Sequence, residues 1–349
     1  MGLTMDADDG ISYRPLRRGR LIIMEPSTRQ HLLGRLKETR GGWVSGGDLG
    51  RELHISRTAV WKHICSLRSE GYVIESATRK GYLLTETLDR LIPAEIAAAL
   101  RTKSLGRRIV FESEVDSTNR LARDLAISGA VEGSLVVAES QTGGRGRKGR
   151  NWYSPPGEGI YVSLVLRPRF QPAEAPKMTL LTGVALAETL IPIVPSRVTI
   201  KWPNDVLAGG KKLAGILIEI STQIDAIDYM VVGVGLNVNT PPGRFPADLR
   251  ERATSLAAEI GHTVDRTEIL GAFLERLERY YDLIGKEGFS PVIKRWRELS
   301  DMAGRRVRVH AFDRSLEGTI EGIDDDGVLL VNVSDGTLHR VIAGDVEYL

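Results

Sequence analysis

Between residues 27 and 85, apolar positions recur at helical spacing in short blocks. Leu32, Leu33 and Leu36 form the stripe of a first helix, and Asp48–Leu53 has room for a short second one. His54-Ile55 makes a turn, and Ser56 is placed to cap a third helix, Arg57–Ser69. Val60, Ile64 and Leu67 repeat at i, i+4 and i+7 along that helix. The pattern then becomes strand-like over Tyr72–Glu75 and Gly81–Leu84, joined by Ser76–Lys80. Three helices and a hairpin in this order predict a winged helix-turn-helix. Arg57, Thr58, Trp61, Lys62 and Arg68 lie off the apolar stripe of the third helix, and Arg79 and Lys80 sit at the hairpin tip. Such a helix would enter a major groove, and the tip would touch phosphate. The same pattern also suits a small helical domain used for protein contact.

Thr85–Pro93 reads as a linker, after which Pro93 opens a helix through Leu100 in the first-turn position that proline favours. Strand patterns then fall at Arg108–Phe111, Ser134–Ala138, Ile160–Leu166, Val198–Trp202, Leu213–Ile220 and Tyr229–Val238. Helical patterns cover Ser117-Thr118 to about Ile127, Ala175–Ile191 as a long amphipathic helix, Thr267–Ile284 and Pro291–Leu299. Strands arriving in consecutive pairs predict a mixed sheet with helices on one face, an α+β layer. From residue 304 onward only strands appear: Arg306–Phe312, Ser315–Ile323, Gly327–Val333, Thr337–Ile342 and Val346–Leu349. Asp313-Arg314, Asp325–Gly327 and Asp335-Gly336 supply the turns, and five short strands at this spacing predict a small SH3-like barrel. The chain is therefore an α+β multidomain protein. Its expected units are a partly disordered extension (1–24, strand-like only at Leu21–Met24), the winged helix (25–85), a linker with a connecting helix (86–103), the central mixed-sheet domain (104–300) and the barrel (301–349).

Composition narrows the class. The chain has 349 residues, enough for two or three domains. Its 42% hydrophobic and 26% charged residues are ordinary for a globular protein. Net charge is only +2, so any nucleic-acid contact has to come from a local patch. Cys65 is the only cysteine, which excludes an internal disulfide and a cysteine-rich zinc site and suits a reducing cytoplasm. No apolar run reaches membrane-spanning length. The first residues, with Asp6, Asp8 and Asp9, lack the order of a signal peptide.

The chemistry concentrates at Gln141–Trp152, where four glycines lie among Arg145, Arg147, Lys148 and Arg150, between two strand patterns. Glycine lets backbone N–H groups approach a ligand, and arginine forks suit phosphate and carboxylate oxygens. The loop is no Walker A motif, because Gly149 is followed by Arg150. Taken alone it is a basic surface loop. Four other stretches are singly weak. Asp116-Ser117-Thr118-Asn119 at a strand-to-helix junction can bind a small polar head group or simply cap a helix. Lys201-Trp202-Pro203-Asn204-Asp205 ends a strand with a lysine suited to a charge-building phosphate, or merely solvated. Lys212–Glu219 opens on small residues, and Gly233–Asn239 carries glycines that permit close approach.

Together and in this order, GRGRKGRNW (Gly144–Trp152), DSTN (Asp116–Asn119), KWPND (Lys201–Asp205), KLAGILIE (Lys212–Glu219) and GVGLNVN (Gly233–Asn239) resemble the biotin protein ligases. The resemblance extends to the winged helix and the C-terminal barrel. It therefore points to the bifunctional class that acts as both biotin–[acetyl-CoA-carboxylase] ligase and biotin operon repressor. It implies a central domain like class II aminoacyl-tRNA synthetases, with MgATP as cofactor and biotin as substrate. Biotin's carboxylate would attack the α-phosphate of ATP to give biotinyl-5′-AMP, and a lysine of biotin carboxyl carrier protein would then release AMP. By resemblance, Ser117, Thr118, Asn119 and Gln141 bind the biotin head group, and Arg145, Gly146, Arg147 and Lys201 its carboxylate and the phosphate. Gly144, Arg147, Arg150, Trp152, Asn204, Gly235 and Asn237 would form the nucleotide site, with Lys201 and Arg147 catalytic and no dedicated metal ligands. Arg57, Thr58, Trp61, Lys62, Arg79 and Lys80 would contact operator DNA as part of a homodimer. Two rivals share parts of this pattern: a lipoyl-protein ligase, and a transcription factor sensing a ligand through an inactive enzyme domain.

Overall fold

The computed structural model describes residues 11–15, 20–24, 28–39, 41–69, 71–86, 89–311 and 315–349. The chain opens with strands β1 (Ile11–Pro15) and β2 (Arg20–Met24). Helices α1 (Thr28–Glu38), α2 (Gly46–Glu52) and α3 (Arg57–Ser69) follow, then the hairpin β3 (Val73–Ala77) and β4 (Gly81–Glu86). Leu32, Leu33, Leu36, Val60, Ile64 and Leu67, the stripes read from the sequence, are all buried in one core beneath this unit. Ser56 caps α3 as expected, its hydroxyl accepting from Ala59 N at 3.1 Å.

Helix α4 (Pro93–Ala99) leads into the central domain. There follow β5 (Arg108–Glu112), α5 (Thr118–Ile127), β6 (Ser134–Ala138), β7 (Gly159–Leu166), α6 (Lys177–Leu190), β8 (Val198–Lys201) and β9 (Asp205–Ala208). Two long strands, β10 (Lys211–Gln223) and β11 (Ala226–Asn237), come next, then α7 (Leu256–Ile260), α8 (Arg266–Glu287) and α9 (Ser290–Leu299). The sheet runs β1-β2-β5-β6-β7-β11-β10-β9-β8 and is mixed, with β5 and β6 parallel and the other pairs antiparallel.

Helices cover both faces of this sheet, not one. Residues of α4, α6, α8 and α9 share the main core with Leu135, Val137 and Leu164. Ala122, Leu125 and Ala126 of α5 pack on the opposite face with Val136, Val165 and Val231. A strand whose two faces are both apolar, as in Ser134–Ala138, demands cover on each side. Helix α6 likewise departs from the amphipathic expectation. It is buried almost all round, because α8, α9 and the sheet enclose it. Strand β9 and helix α7 had no sequence expectation. At the N-terminus, β2 pairs with β5 through Ile22↔Ile109 and β1 pairs with β2, so this stretch forms a hairpin on the sheet edge where only Leu21–Met24 suggested a strand. Residues 1–10 and 16–19 of the expected extension, and linker residues 87 and 88, lie outside the described residues.

The last unit contains β12 (Arg306–His310), β13 (Ser315–Ile323), β14 (Leu329–Asn332), β15 (Leu338–Val341) and β16 (Asp345–Tyr348). They form one antiparallel sheet in the order β15-β14-β13-β12-β16, and the expected Asp313-Arg314 turn lies outside the described residues. Its buried residues continue the main core through Trp296 and Met302, and Trp202 Nε1 donates to Gly327 O at 3.1 Å. The C-terminal sheet is thereby fixed against the end of β8, where Lys201 sits.

Candidate active site

The floor of the site is built where β5 meets α5. Ser117, Thr118 and Asn119 are all buried. Ser117 occupies the N-cap position, yet its hydroxyl makes no cap bond. The carboxamide of Gln141 does that work: its Oε1 accepts from Thr118 N at 2.9 Å and Thr118 Oγ1 at 3.2 Å, and its Nε2 donates to Ser154 Oγ at 2.9 Å. The start of the glycine-arginine loop and the DSTN stretch are therefore one unit. Asn119 is committed to the protein. Its Nδ2 donates to Leu217 O at 3.2 Å and Glu219 Oε2 at 3.0 Å, and its Oδ1 accepts from Ser163 Oγ at 2.7 Å. That geometry gives Asn119 a bracing position and leaves the Ser117 hydroxyl, which makes no hydrogen bond among the described residues, facing no protein competitor.

Two glycines of GVGLNVN explain why side chains fit here. A Cβ at Gly233 would stand 1.9 Å from Asn119 Oδ1, and one at Gly235 would stand 2.4 Å from Trp152 Nε1. Gly235 pairs with Gly215 across β10 and β11, so the Trp152 indole lies against a bare patch of backbone. Its Nε1 is buried without a partner among the described residues. Asn237, in contrast, turns its amide to Thr254 O at 2.9 Å and is buried. Gly144 is buried, and Trp152 N donates to its carbonyl at 2.9 Å, which pulls the loop's two ends together.

The loop cations converge on the KWPND turn and the C-terminal sheet. Arg147 Nη1 reaches Asn204 Oδ1 at 3.5 Å and Gly344 O at 3.4 Å. Asn204 is held by β10, its Nδ2 donating to Ile216 O at 2.9 Å. Arg150 and Lys148 both reach Asp345, at 2.9 and 3.3 Å. Arg145 stays exposed and makes no hydrogen bond or ion pair among the described residues, and Gly146 N donates to Arg150 O at 2.7 Å. Lys201 follows from β8 into a turn carrying a cis Trp202–Pro203 bond, with its ammonium 4.5 Å from the Tyr348 ring centroid. Burial holds the Lys201 ammonium below the ordinary lysine range, with Asp205 opposing and Lys212 adding to the shift. Burial likewise lowers Arg147.

Three residues here had not been singled out from sequence. Lys212 pairs with Asp205 at 2.7 Å and lies 5.4 Å from the Trp152 ring centroid. It opens the KLAGILIE stretch, so its motif was visible although its role was not. Asp345 and Tyr348 come from the last strand and carry no sequence signal. The expected DNA contacts lie away from this cleft, on the winged helix, where Arg57, Thr58, Trp61, Lys62, Arg79 and Lys80 are all exposed. Arg68 is used internally, donating to Ile74 O at 2.8 Å. Among the described residues, no group of three or more histidines, cysteines or acids is placed to hold a metal ion, and no helix is long and apolar enough to cross a membrane.

Comparison with known proteins finds matches in all three parts of the chain. The Biotin/lipoate A/B protein ligase family matches residues 110–237, an HTH domain matches 28–83, and the Biotin protein ligase C terminal domain matches 303–348. The chain is 36% identical over 324 residues to the bifunctional ligase/repressor BirA of Bacillus subtilis, covering 93% of this chain and 99% of that protein. It is 32% identical over 307 residues to the Escherichia coli protein of the same name, covering 88% and 93%. Among solved structures it is similar to the biotin protein ligase from Aquifex aeolicus in complex with biotin and ATP, with a TM-score of 0.60, 29% identity and coverage of 69% of this chain and 98% of that one. With a catalytic cleft, a winged helix and a C-terminal sheet each matched in order, the chain belongs to the biotin protein ligase family, in its bifunctional ligase/repressor branch.

Proposed function

We propose that the cleft between Ser117 and Lys201 joins biotin to ATP and passes the biotinyl group to a lysine of biotin carboxyl carrier protein, the acceptor domain of acetyl-CoA carboxylase. The observation that carries this reading is the convergence of Arg147, Lys201 and Lys212 beside a polar floor and an indole laid on paired glycines. Ser117, Thr118 and Gln141 receive the ureido head, with Asn119 bracing them. Arg145, Gly146 and Arg147 take the carboxylate. Gly144, Arg150, Asn204 and the Gly235–Asn237 segment border the nucleotide, with Trp152 against its adenine.

Attack of the carboxylate on the α-phosphate builds negative charge on phosphate oxygens as pyrophosphate leaves. Lys201 and Arg147, fixed and partly dehydrated, stabilise that charge more in the transition state than before it. In the second half, the acceptor lysine attacks the mixed anhydride and AMP leaves. The acyl group rests on AMP, so no nucleophilic Ser or Cys is needed. A magnesium ion brought in on ATP would be held largely through the substrate phosphates, keeping much of its water, and would neutralise phosphate charge. Asp205 and Asp345 are the nearby carboxylates that fit such a role, each now answered by cations.

The winged helix is the repressor half. Its α3 would read operator DNA through Arg57, Thr58, Trp61 and Lys62, with Arg79 and Lys80 on phosphate, in a homodimer matching a two-fold site. We read the C-terminal sheet as an SH3-like barrel, supported by the break in pairing register between Ile320 and Gly322 that bends β13. The central domain is read as one related to class II aminoacyl-tRNA synthetases. We propose functional units at 25–85, 104–300 and 301–349, a reading supported by the separate winged-helix core and the separate C-terminal sheet.

Incubation with labelled biotin, ATP and a carrier domain tests the reading. Label transferred to the carrier, with pyrophosphate released, is the expected result. Transfer of lipoate in preference to biotin would assign the lipoyl branch, and absence of any adenylate would leave a ligand-sensing transcription factor.

A further inference from the structure

The hydrogen bonds beneath the polar floor of the cleft run in one direction. Leu217, Gly233 and Ser163 lie side by side in one row across β10, β11 and β7. Gly233 has no Cβ, so Asn119 can lay its carboxamide over this row. Asn119 Nδ2 faces Leu217 O at 3.2 Å and Glu219 Oε2 at 3.0 Å, a carbonyl and a carboxylate, both acceptors. That pair fixes which end of the amide is which. The other end, Oδ1, is therefore an acceptor, and it stands 2.7 Å from Ser163 Oγ.

Ser163 is 0% exposed, and its hydroxyl carries one proton. Asn119 Oδ1 has no proton of its own to give, so the Ser163 proton goes there. Ser163 Oγ also stands 2.9 Å from Thr118 Oγ1. With its own proton committed, Ser163 must accept in this second contact, and Thr118 must donate. Gln141 Oε1 offers Thr118 another acceptor at 3.2 Å, but it is farther away and already accepts from Thr118 N at 2.9 Å. Both choices send the Thr118 proton into the protein. The lone pairs of Thr118 Oγ1 are left with no donor among the described residues, on a residue only 4% exposed. A buried hydroxyl oxygen held this way is complementary to an N–H and repels another oxygen.

We propose that Asn119 and Ser163 are positioning residues that aim the Thr118 proton inward, and that Thr118 thereby selects a head group presenting an N–H. The inference rests on the ligase reading above, in which the ureido ring of biotin lies against Ser117, Thr118 and Gln141. A ureido ring carries an N–H on each side of one carbonyl, so one of its nitrogens meets the Thr118 oxygen. The Ser117 hydroxyl makes no cap bond and can turn its own proton to the carbonyl. The dithiolane ring of lipoate has no donor at all and would leave the Thr118 oxygen buried and unpaired. Discrimination of this kind is strong, because an analogue without the donor strands a polar group of the site. Asn119 and Ser163 act without touching the ligand, by setting the direction of one proton.

Equilibrium binding to the full chain is measured for biotin and for two cyclic carbamate analogues, in which one ureido N–H or the other is replaced by oxygen. The replacement keeps ring size and shape and exchanges a donor for an acceptor. Wild-type protein should bind at least one carbamate about a hundredfold or more weaker than biotin. Ser163→Ala frees the Thr118 hydroxyl to rotate, so that its proton can turn to the carbamate oxygen. The ratio of the two affinities for that analogue should then fall to about tenfold or less. Thr118→Val has no oxygen to read either atom and should lose the preference for the same analogue, which carries the test if Ser163→Ala does not fold. A merely structural role for Ser163 would weaken biotin and both carbamates alike. Retention of the wild-type ratio in either folded variant therefore overturns the proposal, as does wild-type protein that binds both carbamates as well as biotin. Wild-type protein that binds neither biotin nor the carbamates removes the ligase reading, and the proposal falls with it.

Discussion

Lys201 shows what one residue can decide. Partial burial leaves its charge poorly solvated and so better able to respond to charge on phosphate. Lys201→Gln should slow adenylate formation by about 3–4 kcal/mol of transition-state stabilisation while the fold persists. Pyrophosphate release at the wild-type rate would remove Lys201 from the mechanism. The sign of the pH effect follows from the same burial. A lowered lysine pKa means the charge is lost as pH rises, earlier than for an ordinary lysine. Folding stability runs the opposite way, because the cost of the buried charge is relieved on deprotonation. Adenylate formation should therefore decline on an alkaline limb below the ordinary lysine range, and residual activity in Lys201→Arg should lack that limb. The paired glycine positions of β11 give a second residue-level prediction. Gly233→Ala strikes Asn119 and should raise the KM for biotin, while Gly235→Ala strikes Trp152 and should raise the KM for ATP. Each overpacking should cost about 1–3 kcal/mol in unfolding by denaturant. Identical effects of the two on both substrates would disprove the division of the floor.

At the level of elements, the glycine-arginine loop has two sets of partners available. Here Arg150 and Lys148 answer Asp345, and Arg147 reaches Asn204 and Gly344. A phosphate from biotinyl-AMP would draw the same cations together over the anhydride and exclude water. Cleavage by a trypsin-like protease between Arg145 and Arg150 should slow with biotin plus ATP, and Arg147→Gly should shorten retention of the intermediate and weaken ligand-induced dimerisation together. Equal cleavage rates with no change in sedimenting mass would refute that link. Which elements were legible in advance has a physical logic. Helix α3 was readable because its apolar residues repeat at helical period and Ser56 caps it. Helix α6 misled because burial on every side erases amphipathicity. Strand β9 is four residues long and follows a turn, too short to show any period. The motif stretches of the cleft were readable because each is contiguous. Ser163 was not, since its partners Thr118 and Asn119 stand 45 and 44 positions away.

The whole molecule raises the question of whether its DNA-binding half can be removed. The winged helix has its own core, separate from that of the central domain, and the two meet at Lys37, Glu95 and Asp265. A chain beginning near Leu88 takes Lys37 away, together with the β1–β2 hairpin that pairs with β5, but also opens Glu95 to water, so no ion is left buried without a partner. Lys37→Met in the full chain does the reverse. It keeps the interface closed and strands Glu95, which typically costs about 3–5 kcal/mol. The truncated protein should therefore melt closer to the wild-type central domain than Lys37→Met does, although far more of the molecule has been removed. It should still biotinylate a carrier. DNA binding should disappear with the domain. In the full chain, removing the Arg79 and Lys80 charges should weaken binding to all sequences and reduce the salt slope of log K by about one for each phosphate no longer neutralised. DNA affinity that survives deletion of residues 1–85 would end the repressor reading for the winged helix. A truncated protein that folds but cannot form the adenylate would show that the ligase site depends on the docked domain for catalysis itself, beyond the affinity for biotin.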